Sequence, residues 1–167
     1  MTITFKRPMF ISGKYLDIYQ GEAKIGKMRY WKQGHSHDPK NDVNIAIESN
    51  EQTYEILQQT SSIIEGNNWH ILDRGIPVAD MQSGTLKKID QIKTQFQDGT
   101  TLFIKAEGLF KSGIQLFINQ ELIGEASPKG LFFNGYYEIK LSDTNVPLDP
   151  LLLAGITYAF FSMSNLG

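Results

Sequence analysis

Lys27, Arg29 and Trp31 stand two residues apart in the stretch Ala23-Lys24-Ile25-Gly26-Lys27-Met28-Arg29-Tyr30-Trp31. Side chains alternate along a β-strand, so this spacing puts all three on one face. Two cations beside an indole make a contact for anions: Lys and Arg meet phosphate, and Trp lies at the level of lipid headgroups. The same spacing also serves a structural end, with long amphipathic side chains covering a barrel wall. Lys87-Lys88 joins the set only if the fold brings it near. Net charge is −2 but unevenly spread: residues 1–34 carry seven Lys or Arg against two acids, and the rest hold nine basic and sixteen acidic side chains. Such asymmetry can mark an anionic partner surface, and it equally describes a solvated edge that avoids self-pairing.

A second constellation is His35-Ser36-His37-Asp38, with Asp42 close behind. Two imidazoles and two carboxylates suit Zn²⁺ or Ni²⁺. Yet ligands at i and i+2, with no spaced partner pair to complete the shell, lack what fixes a metal, so a solvated loop without metal or cofactor is the expectation. Catalysis has no comparable foothold. The chain contains no phosphate-binding Gly-Lys loop, no nucleophile elbow, no zinc-helix motif and no paired-carboxylate motif. His70 beside Trp69 reads as a packed, hydrogen-bonded histidine rather than a general base, and Asp73 and Asp98 sit in turns. With no Cys, thiolate catalysis, disulfides and Cys-based zinc sites are excluded, and the cytosol is the economical compartment. An acidic chain without a nucleic-acid signature argues against DNA or RNA.

The elements that must position these residues are mostly strands. At 167 residues and 41% hydrophobic content the chain suits one domain, 1–167, and the N-terminus has no signal-peptide pattern. Residues 2–11 are β-prone, with Pro8 fitting an edge or first strand. Three hairpins share a grammar: Tyr15–Tyr19 turning at Gln20-Gly21-Glu22, Trp69–Leu72 at Asp73-Arg74-Gly75, and Leu116–Ile118 at Asn119-Gln120-Glu121. Each leaves through an aliphatic residue followed by a small one, Ile25-Gly26, Val78-Ala79 and Ile123-Gly124, where the sheet bends or another backbone approaches. Val43–Glu48 alternates as a strand. Ser49-Asn50-Glu51-Gln52 matches a capping box, and Tyr54, Leu57, Ser61 and Ile64 form a stripe, predicting a helix that Gly66-Asn67-Asn68 stops; Thr60–Ile64 could also begin a strand. Gly84–Phe96, Thr100–Ala106 and Tyr136–Leu141 read as strands.

The C-terminal run is different. Asp149 is an N-cap and Pro150 an N1 residue, and from Leu151 to Met163 there is no charge and no continuous polar face. A helix over about 149–165 that is apolar all round must be surrounded. About 13 uncharged residues fall short of the ~20 a membrane span needs, so a protein core surrounds it and no transmembrane segment is expected.

About a dozen short strands with one apolar C-terminal helix, the hairpins at Ile71-Leu72-Asp73-Arg74-Gly75 and Ile118-Asn119-Gln120-Glu121-Leu122-Ile123-Gly124, and the ending Asp149-Pro150-Leu151-Leu152-Leu153-Ala154 resemble the tubby C-terminal-like superfamily. That superfamily includes the LURP-one-related proteins and the phospholipid scramblases. The resemblance implies a mainly β fold, a closed, roughly twelve-stranded barrel enclosing the helix. This is sterically sensible, because a helix is ~10 Å across and eight strands leave room only for side chains. The chain departs from characterised members in having no calcium loop of the EF-hand kind, no Cys cluster and no assignable counterpart of tubby's phosphoinositide-binding Lys and Arg. The function implied is a non-enzymatic binding module, cytoplasmic and peripheral, whose partner is an anionic phospholipid headgroup or another protein. The alternative is a lipocalin-like carrier with the helix outside the barrel and a small apolar ligand inside.

Overall fold

A computed structural model of the chain describes residues 1–7, 13–31, 43–62, 66–84, 90–107, 113–131, 135–143 and 146–163, without the side chains of 61 and 62. Twelve strands precede one helix: β1 (Thr2–Lys6), β2 (Leu16–Gln20), β3 (Ala23–Trp31), β4 (Asn44–Glu48), β5 (Thr53–Ser62), β6 (Gly66–Asp73), β7 (Ile76–Ser83), β8 (Gln91–Phe96), β9 (Thr101–Ala106), β10 (Ile114–Ile118), β11 (Glu121–Lys129), β12 (Tyr136–Leu141) and α1 (Pro150–Met163). Every strand pairs antiparallel with its sequence neighbours, and β1 also pairs with β12, Thr2 opposite Lys140 and Phe5 opposite Tyr137. The sheet therefore closes into a barrel with no edge, which is how the expected edge character of the first strand disappears.

Alternation of apolar and polar residues sends one face inward. Ile3 and Phe5, Met28 and Tyr30, Ile92 and Thr94, Ile114 and Leu116 are all buried, and their strand neighbours face water. The three hairpins share a distortion at the same place. Ile18 pairs with Gly26 but Tyr19 with Lys24, Ile71 with Ala79 but Leu72 with Pro77, Leu116 with Gly124 but Phe117 with Leu122. Ile25, Val78 and Ile123 are thus extra residues, β-bulges that bend the wall, and the small residue after each turns inward. At the two glycines a side chain has no room. A Cβ on Gly26 would stand 2.6 Å from Leu151 Cδ2 and 2.7 Å from the Glu48 carbonyl oxygen, and one on Gly124 would collide with the Lys140 carbonyl.

The helix lies inside. Leu151 through Phe161 are buried on every side, as is Met163. It sits nearest β4, where Gly155 leaves space for the Ile47 side chain, and its aromatic residues meet the wall: Tyr158 packs edge-on to Phe5 at 5.9 Å and Phe161 stacks on Tyr137 at 4.4 Å. Asp149 caps it, its carboxylate accepting from Leu151 N at 2.8 Å, while Tyr54 donates to the other oxygen at 2.9 Å. An inside helix overturns the lipocalin-like arrangement, because the space a carrier would offer its ligand is filled by this chain. Among the described residues the helix ends at Met163, and none is long and apolar enough to cross a membrane.

The helix expected from the Ser49–Gln52 capping box is a strand, β5. Ser49 does use its hydroxyl as a cap does, accepting from Gln52 N at 3.0 Å and Glu51 N at 3.2 Å, but Ser49 N also donates to the Gln52 carbonyl at 2.8 Å and closes a turn between β4 and β5. Beyond it Tyr54 and Ile56 face in while Glu55 faces out, a period of two.

Antiparallel order separates the two ends of the barrel. Short turns at Gly21-Glu22, Arg74-Gly75 and Asn119-Gln120 join strands at the end where α1 begins. The other end gathers the starts of β2, β4, β10 and β12 and the finish of α1, where Asn67 Nδ2 donates to Met163 Sδ at 3.6 Å.

Candidate functional site

Met28 and Tyr30 commit alternate positions of β3 to the core, so Lys27, Arg29 and Trp31 face outward together, as their spacing predicts. Cross-strand neighbours complete the site. Lys27 pairs with Asp17 on β2 and Glu48 on β4, Arg29 with Ala46, Trp31 with Asn44. The small Ala46 is buried although it faces outward, and Asn44 beside it is fully buried, its amide donating to the Trp31 carbonyl at 3.4 Å and its oxygen accepting from Gln58 N at 2.8 Å. The two make a rigid floor under longer side chains.

On this floor charge is sorted. Lys27 Nζ lies 3.2 Å from Glu48 Oε2 and 4.2 Å above the Tyr15 ring, and the Tyr15 hydroxyl donates to Glu48 Oε1 at 2.8 Å. The tyrosine hydrogen bond, with Lys27 adding to it, holds the Glu48 carboxyl below its ordinary value, so Glu48 is ionised and Lys27 is largely neutralised. Lys24 is matched in the same way by Asp17 at 2.7 Å. Arg29 is different. Its guanidinium stands 5.6 Å from the Tyr15 ring and 5.8 Å from the Trp31 ring, and among the described residues it forms no ion pair. Two aromatic rings flank it, the residue is exposed, and Glu48 feels its charge without pairing with it, so its planar set of donors suits two-pronged recognition of a carboxylate or phosphate.

Sequence reasoning found the three residues of one strand and missed Tyr15 and Glu48, because partners 33 residues apart meet only through the β2–β3–β4 register. The signal was the acidic ending of β4, which becomes meaningful once that strand lies beside Lys27. Other candidates fare differently. His35, His37, Asp38 and Asp42, and also Lys87 and Lys88, lie outside the described residues; among those described, no group of three His, Asp or Glu could hold a metal. His70 is hydrogen-bonded, Nδ1 to Asp80 Oδ1 at 2.6 Å, but it stands on the outer face with half its side chain in water, not packed as expected. Register explains this: His70 alternates with the inward Trp69 and Ile71. A shallow groove of about 230 Å³ on β10–β12 mixes Glu107, Gln115 and Glu125 with Lys140 and so favours neither sign of ligand.

Compared with known proteins, the chain matches no family model, no curated protein and no solved structure.

Proposed function

We propose that the chain is a non-enzymatic, peripheral binding module of the cytoplasm whose outer wall at β2–β4 contacts anionic phospholipid headgroups. The observation that carries this is Arg29, flanked by Tyr15 and Trp31 and in no ion pair among the described residues. Lys27 and Lys24 contribute less than their charge implies, since Glu48 and Asp17 already compensate them. The filled interior supports a surface site, because α1 occupies the volume a carrier would give its ligand. A barrel enclosing a C-terminal helix is also what the tubby-like resemblance implies, and that superfamily has lipid-linked members.

Binding of this kind is electrostatic and reversible. Each uncompensated cation near an anionic membrane contributes about 1 kcal/mol, and the attraction decays over a Debye length of ~8 Å at physiological salt. The test is co-sedimentation with vesicles containing phosphatidylserine or a phosphoinositide against neutral vesicles, at low and high salt. Wild type should bind the anionic vesicles at low salt, and Arg29→Glu should weaken binding by about tenfold or more, since reversal replaces an attraction with a repulsion. Equal binding by the variant, or indifference of the wild type to anionic vesicles, sinks the reading; association of the Arg29 face with a protein instead would transfer the site to the protein-interaction alternative.

A further inference from the structure

The barrel end that lies away from the start of α1 carries a second surface of mixed character, a few strands along the wall from Arg29. β11, β12 and β1 run side by side, and their register sets Lys129 opposite Tyr136 and Tyr136 opposite Lys6. All three point outward, as Phe5 and Tyr137 beside them in sequence fill the interior. Among the described residues Lys6 and Lys129 are exposed and form no ion pair, and the nearby Glu138 is taken by Lys140 at 3.3 Å. Past Lys129 the chain turns at Gly130, with φ 76°, and holds Leu131 out with 82% of its surface in water, more than any other large hydrophobic residue described. Tyr136 is 39% exposed.

A lone exposed leucine is ordinary. This one leaves the wall two residues past Lys129, its carbonyl close to Gly135, the residue before a tyrosine flanked by two cations. Apolar, aromatic and cationic groups are the chemistries met on passing outward through a bilayer from acyl chains to the aromatic-rich interface to the phosphates. Lysine stems long enough to cover apolar surface while their heads reach headgroups suit the same placement. Arg29 and Trp31 lie near this same barrel end, because β3 finishes where β1 and β11 finish. Four strand spacings, a third of the way round the closed wall, separate β3 from β11, so a surface laid across this end of the barrel, rather than against its side, meets both.

We propose that Leu131 inserts into the headgroup–acyl boundary of an anionic bilayer, with Tyr136 at the interface and Lys6 and Lys129 on its phosphates. The inference rests on the headgroup reading for Arg29 and deepens it: it adds a short-range apolar contact and fixes which end of the barrel faces the membrane. It predicts binding that salt weakens but that also depends on an uncharged side chain.

Because the chain has no Cys, a Leu131→Cys variant carries a single attachment point for an environment-sensitive fluorophore. Ile76→Cys, at a 66% exposed position where β7 begins at the opposite end, is the control. On phosphatidylserine vesicles at low salt the tag at 131 should shift to shorter wavelength and be quenched by spin-labelled acyl chains, whereas the tag at 76 should do neither. In unlabelled protein Leu131→Ser should weaken partition about tenfold, and Lys6→Glu with Lys129→Glu should weaken it further. If the protein binds these vesicles in an Arg29-dependent way while the tag at 131 stays aqueous, the insertion is wrong and the headgroup reading survives. If wild type does not bind them at all, both are wrong.

Discussion

Asp149 performs two tasks with its two carboxylate oxygens, capping α1 through Leu151 N and accepting from Tyr54 on β5. Burial first, and then that carboxylate, push the Tyr54 hydroxyl well above the ordinary tyrosine range, so it remains a donor at any pH the protein meets. The cap was legible in the sequence because capping is local, Asp followed by Pro before an apolar run. The tyrosine was not, since 95 residues separate the pair. Asp149→Ala should cost about 2–3 kcal/mol, roughly 1–2 for the cap and the rest for a buried hydroxyl left without its acceptor. Tyr54→Phe, which leaves the cap intact, should cost about 1 kcal/mol. Urea midpoints of the two variants decide this, and equal losses would mean the cap carries no weight. The functional residues follow the same division: Lys27, Arg29 and Trp31 share a strand and could be read from their spacing, whereas the compensation of Lys27 by Glu48 depends on a strand brought alongside.

At the scale of elements, hairpins were the most readable features, because turn residues and the aliphatic-small pair are adjacent in sequence. What the sequence could not show is that each pair marks a bulge, since a bulge is a mismatch in count between two strands. β5 failed for an instructive reason. A serine hydroxyl satisfies open N–H groups equally well at a helix start or in a tight turn, and the choice was made by the partners on either side, β4 and β6. The bulge geometry makes a sharp prediction. Gly124→Ala directs a methyl group at the Lys140 carbonyl, which belongs to the backbone of β12 and has no rotamer to escape into. It should destabilise by about 1–3 kcal/mol. The equivalent second-hairpin position is already alanine, Ala79, so Ala79→Gly should cost less than 1 kcal/mol or so. Thermal melts of the two variants test the pairing, and a Gly124→Ala protein as stable as wild type would refute the close approach.

On the scale of the whole molecule, the all-apolar helix and a sheet wide enough to hold it are two statements of one condition. The helix has no face it can show to water, and the inward side chains of the barrel close upon it. Ile156 lies at the middle of this arrangement and is completely buried. Ile156→Asp would place a carboxylate in the apolar core, and the loss should be at least about 4 kcal/mol, with the cooperative melting transition lowered or abolished. A folded variant with an unchanged Tm would show that α1 is not the core. Enclosure of α1 was readable at the level of its composition; closure of the wall by β1 and β12 was not, since nothing local in Thr2–Lys6 names Tyr136–Leu141 as its neighbour.

The innermost element follows all twelve strands in the chain. On a ribosome, all twelve strands emerge before Pro150 does, and until then their inward faces have nothing to close upon. An empty barrel of this width would have to be hydrated or collapsed, so the nascent chain gains little by assembling early, and until the helix emerges its apolar strand faces stay open to aggregation or to a chaperone. Assembly is thereby deferred until the helix has emerged and supplies the surface around which the strands can close.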